Sequence, residues 1–101
     1  MLTKTDVIEW LKTVYDPEFP MVDIYTLGLI YNVRVDNDKE IVHILMTFTT
    51  PACPMADMLE EMVKNAVLEK VPHYEVDLEI TFDPLWKFEM IKDEDLKRMF
   101  E

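Results

Sequence analysis

The fold of this chain is decided by residues 40–82, which read EIVHILMTFTTPACPMADMLEEMVKNAVLEKVPHYEVDLEITF. Both ends of this stretch alternate apolar and polar residues, and its middle repeats apolar residues at helical spacing. We predict a strand over 40–49, a helix over 54–70 and a strand over 74–82. This order is typical of a right-handed βαβ crossover, so the two strands should lie parallel.

A third strand is predicted just upstream, over residues 29–36. The short polar turn at 36–39 joins it to the strand over 40–49, which predicts an antiparallel hairpin. One face of the upstream strand should carry Leu29, Tyr31, Val33 and Val35, with Ile30 as an apolar exception on the other face.

Two more helices and a loop complete the chain. Residues 5–14 predict a first helix with Thr3 or Thr5 as its N-cap, and residues 93–100 predict a short last helix. Residues 16–28 read as a structured loop, in which Gly28 should adopt a backbone conformation that other residues resist or allow a close approach. We therefore expect one domain over 1–101 in the α/β (α+β) class. It should be a two-layer sandwich, with a small mixed sheet and helices packed on one face.

Composition narrows the function classes. The 101 residues include 21 acids and 10 bases, for a formal charge of -11, which disfavours nucleic-acid binding. No apolar run approaches the ~20 residues of a membrane span. The N-terminus does not read as a signal peptide, so we expect a cytoplasmic protein that does not bind membranes.

The single cysteine, Cys53, lies where the strand over 40–49 leads into the central helix. Pro54 suits the first helical position, which makes Cys53 the N-cap and allows free N–H groups to stabilise its thiolate. The carboxylate of Asp57, one helical turn further on, would raise the pKa of the thiol and so oppose this stabilisation of the thiolate. The residues alone leave a reactive or metal-binding thiol and a buried structural cysteine equally open.

One cysteine also limits what the chain can build by itself. It excludes an intrachain disulfide, and one cysteine cannot build a closed zinc or cluster site, which usually takes about four protein ligands. His43 and His73 are badly spaced to act as a base for Cys53, so we do not expect an enzyme.

Other residues in the loops are candidates for binding. Asp16, Glu18 and Asp23 could act as acid/base groups or hard-metal ligands, or could simply brace their loop. Trp86, after Asp83 and Pro84, is either a lid on the core or an exposed recognition aromatic, and its large buried area favours the lid.

Taken in order, several short motifs resemble one family. They are Asp16-Pro17-Glu18, Asp23-Ile24, Leu27-Gly28-Leu29-Ile30-Tyr31, Met46-Thr47-Phe48-Thr49, Pro51-Ala52-Cys53-Pro54 and Asp83-Pro84-Leu85-Trp86. This set is similar to the SufT-like iron–sulfur assembly domain, whose relatives include the phenylacetate-degradation protein PaaD and the eukaryotic cytosolic iron–sulfur targeting component. The resemblance covers almost the whole chain.

The resemblance implies an iron–sulfur cluster assembly or maturation factor that acts as a carrier or targeting adaptor. Cys53 would be a transient cluster ligand, shared with a second copy in a homodimer or with a client. It implies no stably bound cofactor, and iron–sulfur assembly proteins or client apo-proteins as partners. The residues it places around Cys53 are Thr49, Thr50, Asp16, Glu18, Asp23 and Trp86.

Two alternatives remain at this point. One is a metal-free adaptor whose acidic surface and Asp16–Asp23 loop bind a basic partner. The other is a pathway-specific accessory protein of a ring-hydroxylating complex, as PaaD is.

Overall fold

The computed structural model describes residues 2–16, 19–49 and 56–99. Its elements, in chain order, are α1 (Lys4–Leu11), β1 (Tyr15–Asp16), β2 (Phe19–Asp23), α2 (Ile24–Leu27), β3 (Ile30–Asp36), β4 (Ile41–Met46), α3 (Ala56–Leu68), β5 (Glu75–Ile80), a 3₁₀ turn (Phe88–Met90) and α4 (Glu94–Met99). The main sheet has the order β3-β4-β5. β3 and β4 form an antiparallel hairpin, and β5 lies parallel to β4. The predicted mixed sheet and its helical crossover are therefore confirmed.

The core lies between this sheet and two helices. α1 and α3 contact each other, α1 also contacts β3, and α3 also contacts β5. The fully buried side chains of this layer alternate along β4 and follow helical spacing along α1 and α3, as Val7, Leu11, Val42, Ile44, Met46, Leu59, Val63 and Val67. On β5 the acids at 75, 77 and 79 are exposed, so the opposite face of the sheet faces water. The predicted two-layer arrangement is confirmed.

α1 begins as the sequence predicted and ends earlier. Thr3 is the N-cap, because its hydroxyl accepts from the Asp6 N–H at 3.2 Å and the Asp6 carboxylate accepts from the Thr3 N–H at 3.2 Å. This capping box satisfies two free donors of the first turn. The helix stops at Leu11 rather than at residue 14, since the Val14 N–H donates to Leu11 O in a tight 3.1 Å turn.

The predicted face of β3 is partly wrong. The pairing with β4 shifts between Ile30 and Asn32, so Tyr31 occupies an irregular position in the ladder. The shift turns Ile30 into the core, where it is buried beside Val33, and leaves Tyr31 only half-buried. An extra residue in one strand reverses the alternation beyond it, which residue pattern alone does not reveal.

The predicted loop over 16–28 contains regular structure that the sequence reading missed. β1 and β2 form a two-stranded antiparallel ribbon, and α2 follows it. The prediction for Gly28 is confirmed: it closes α2 at φ 92°, and a Cβ there would overlap the carbonyl of Met90. Within the described residues, no helix is long and apolar enough to cross a membrane.

Candidate functional site

The candidate site lies at the end of the sheet where β4 and β5 finish. The Thr47 N–H donates to Leu29 O at 2.8 Å, and the Thr81 N–H donates to Met46 O at 2.9 Å, which extends both pairings past the strand ends. Thr47 is fully buried and Phe48 nearly so, while Thr49 is partly exposed. The chain therefore leaves the sheet toward residues 50–55 from a firmly held position.

Three of the predicted site residues lie outside the described part of the chain. These are Glu18, Thr50 and Cys53. Their predicted roles stay predictions, and the geometry of the site is built from the residues around them.

Tyr31 connects the sheet end to the segment that follows β5. Its hydroxyl donates to Pro84 O at 2.7 Å and lies 3.6 Å from Met90 Sδ. Burial raises the pKa of Tyr31, and a hydrogen bond with the Thr47 side chain acts in the opposite direction. The phenol therefore stays protonated at neutral pH and serves as a donor beside Thr47.

Trp86 and Asp23 hold opposite ends of α2. The indole N–H of Trp86 donates to Leu27 O at 2.8 Å, and the Asp23 carboxylate accepts from the Thr26 N–H at 2.9 Å as N-cap. Trp86 is half-buried and packs against the core, which favours the lid interpretation. Asp23 braces the loop, as one of the predicted alternatives required.

Asp16 is the least expected member of the set because its side chain is completely buried. It lies on β1 opposite Phe19, and the neighbouring Tyr15 pairs with Asp23, so the ribbon carries both aspartates. Asp16 and Thr47 are the buried polar side chains among the described residues. Burying a carboxylate costs solvation free energy, so contacts within the protein must compensate for the burial of Asp16.

Both histidines lie close to carboxylates, one pair on the sheet and the other in the turns beside it. His43 Nδ1 lies 2.9 Å from Asp77 Oδ2 across β4 and β5, and His73 Nε2 lies 3.3 Å from Glu40 Oε2. In the described residues, no three His, Cys, Asp or Glu side chains are grouped so that they could hold a metal ion.

Comparison with known proteins places this arrangement in a family. Residues 4–80 match the family model described as an iron-sulfur cluster assembly protein. The chain belongs to this family. The resemblance noted in the sequence is thereby confirmed.

Individual relatives agree with the family match. An Fe-S protein maturation auxiliary factor of Porphyromonas gingivalis is 44% identical over 92 residues, which cover 91% of this chain and 86% of the relative. The Fe-S protein maturation auxiliary factor SufT of Staphylococcus aureus is 35% identical over 78 residues, covering 77% and 86%. A conserved hypothetical protein of Thermotoga maritima has a solved structure with a TM-score of 0.85 and 37% identity, covering 98% of this chain and 94% of the other.

Sequence reasoning missed two contributors to the site. The alternation of β3 predicts Tyr31 on the core face, and Thr47 enters the sequence analysis only within the motif Met46-Thr47-Phe48-Thr49. The bulge that reorients Tyr31 depends on pairing with β4, and the hydrogen bond to Pro84 joins residues 53 positions apart. The available sequence signal was the presence of Thr47 and Tyr31 in predicted strands that are otherwise rich in aliphatic residues.

Proposed function

We propose that this chain takes part in the maturation of iron–sulfur proteins, as a carrier or targeting adaptor and not as an enzyme. The observation that carries the proposal is the family match over residues 4–80, within a chain that is similar along most of its length to named maturation auxiliary factors. The cluster is cargo in this proposal, and the chain holds it only in passing.

Cys53 is the residue we assign to the cargo. Thiolates are the ligands that iron–sulfur clusters prefer, and this chain has a single cysteine. Because a cluster usually takes about four protein ligands, the remaining ones must come from a second copy of the chain, an assembly protein or a client apo-protein. Such shared ligation is easily reversed, which suits delivery.

A cluster-transfer assay tests the role of Cys53. Under anaerobic conditions, an apo-dehydratase that requires an iron–sulfur cluster is mixed with a cluster-loaded scaffold protein, with or without this chain. We expect wild type to speed the recovery of dehydratase activity and Cys53→Ser to lose that effect. Lys70→Ser, an exposed change just past the far end of α3, serves as the matched control and should behave as wild type.

Full delivery by a folded Cys53→Ser variant would show that the ligand role is wrong. The chain would then act as an adaptor through its surface, and its charge of -11 predicts binding to a basic partner. Pull-down at rising ionic strength measures this, because contacts between exposed charges weaken with salt.

Two further parts of the proposal have their own measurements. Sedimentation of the chain with and without cluster, under anaerobic conditions, should show a dimer only when cluster is present if a second copy supplies ligands.

Non-enzymatic action predicts slow labelling of Cys53 by iodoacetamide at neutral pH, whereas rapid labelling would indicate an activated nucleophile.

A further inference from the structure

Two neighbouring surface cavities form one groove beside β3. They share Tyr31 and Lys92. The first, of about 180 Å³, is lined by residues of α1 and β3 and includes Lys4 and Tyr25. The second, of about 390 Å³, continues to Pro84. We call the surface formed by these residues the β3 groove.

The charge of the β3 groove differs from that of the surface around it. The chain has 21 acids against 10 bases, and carboxylates line three other surface cavities, for example at Asp77 and Glu60. Neither cavity of the β3 groove has an aspartate or a glutamate in its lining. The groove therefore presents a local positive charge in a strongly acidic chain.

The ammonium groups of this region gather around one ring. Lys92 Nζ lies 4.9 Å and Lys12 Nζ 5.5 Å from the centroid of the Tyr25 ring. Lys12 is also paired with Glu9 at 3.1 Å, whereas Lys4 and Lys92 make no ion pair with any described residue. The cation–π contact orients the Lys92 ammonium group without neutralising it, and Lys4 lines the same groove, so both lysines keep their charge for a ligand.

The backbone of the groove is also available. β3 is an edge strand of the main sheet and pairs only with β4 among the described strands. Its outer side therefore offers N–H and C=O groups to an added strand, which is a common way of binding extended peptides. The half-buried rings of Tyr25 and Tyr31 add apolar surface beside this edge.

We propose that the β3 groove binds an extended acidic segment of a partner protein. The segment adds to the free edge of β3 and places a carboxylate between Lys4 and Lys92. The open edge selects an extended chain, and the lysine-lined, acid-free groove selects negative charge. The proposal does not depend on Cys53, so it stands or falls separately from cluster delivery.

Titration of the ¹⁵N-labelled full chain with a synthetic peptide tests the proposal. The probe is a short capped peptide of alternating valine and glutamate, and its control has glutamine in place of glutamate. We expect the glutamate peptide to shift the amide signals of Tyr25, Tyr31 and Val33. The glutamine peptide should bind roughly tenfold more weakly, from the loss of exposed charge pairs.

Matched charge variants distinguish binding by the lysines of the β3 groove from an effect of the overall electrostatic field of the protein. Lys4→Gln/Lys92→Gln should weaken binding of the glutamate peptide by roughly tenfold, and Lys39→Gln/Lys70→Gln, with the same net charge, should leave it unchanged. Equal weakening in both double variants would overturn the proposal.

Two other results would also overturn it. If inorganic phosphate alone produces the same shifts and displaces the peptide, the groove is a small-anion site. Shifts of the same amides on raising the protein concentration without peptide would make a second copy the occupant.

Discussion

Replacing Gly28 by alanine should strongly destabilise the end of the sheet that carries the candidate site. Gly28 has φ 92°, and an added Cβ would lie 2.9 Å from the Met90 carbonyl carbon and 3.0 Å from Met90 Cβ, and would overlap the carbonyl oxygen. Met90 lies near the segment whose Lys92 N–H donates to Thr26 O at 2.7 Å. The new methyl group must therefore displace backbone and cannot simply push aside a flexible side chain.

Two costs add at this position. An L-residue in the left-handed region costs about 1–2 kcal/mol. Overpacking against fixed atoms costs about 1–3 kcal/mol more. We expect Gly28→Ala to lower the free energy of unfolding by about 3 kcal/mol, a large part of the about 5–15 kcal/mol that holds a typical domain folded.

Urea unfolding followed by circular dichroism measures this change. Gly28→Asn separates the two costs, because asparagine tolerates the left-handed region but brings the same Cβ toward Met90. Glu40→Gly is the control at the other positive φ, 56°, where relief of strain should roughly balance loss of the exposed His73 pair and leave stability nearly unchanged. A loss below about 0.5 kcal/mol for Gly28→Ala would refute the reasoning, since surface substitutions alone reach that size.

Three further substitutions probe the residues around the site. Asp23→Ala should lower the free energy of unfolding by about 1 kcal/mol in urea, because it removes the N-cap of α2. Asp23→Asn keeps the cap. A loss of cluster delivery in the asparagine variant would therefore report on the charge of Asp23. Trp86→Phe should cost about 1 kcal/mol by deleting the donor to Leu27 O. Trp10→Phe, which removes no such bond to a described residue, should cost less, and equal losses would contradict a specific role for the indole N–H. Burial raises the pKa of Tyr31 above 10.0, so the folded state keeps this proton longer than the unfolded state and wild type loses stability as pH rises past 10. Tyr31→Phe should show a shallower loss over that alkaline range in urea unfolding at stepped pH, and an identical slope would show that Tyr31 is not the group responsible.

Strong periodicity predicted the elements that carry the core. The alternation in β4 and β5 and the helical repeat of α3 depend on residues close together in the chain, so one sequence suffices to find them. The ends of β4, β5 and α1 differ by one to three residues from the prediction, because the last turns and strand ends depend on neighbouring segments.

The elements that shape the candidate site depend on distant contacts instead. α2 is only four residues long, and it is held by its Asp23 cap, the αL turn at Gly28 and a hydrogen bond from Trp86. The position of Tyr31 follows from a shift in pairing with β4. None of these contacts leaves a periodic signal, so the family resemblance, and not local pattern, pointed to this region.

The segment over residues 81–92 explains how one end of the sheet is held from several sides. It begins at β5, where Phe82 and Phe48 have ring centroids 6.2 Å apart, and it reaches β3 and α2 through bonds to Tyr31, Leu27 and Thr26. Each of these bonds crosses between elements distant in sequence, so loosening one should loosen the others. Gly28→Ala acts on this support, whereas Cys53→Ser changes only the proposed ligand. If cluster delivery needs a rigid sheet end as well as a thiolate, both variants should lose delivery. Only Gly28→Ala should lose stability as well.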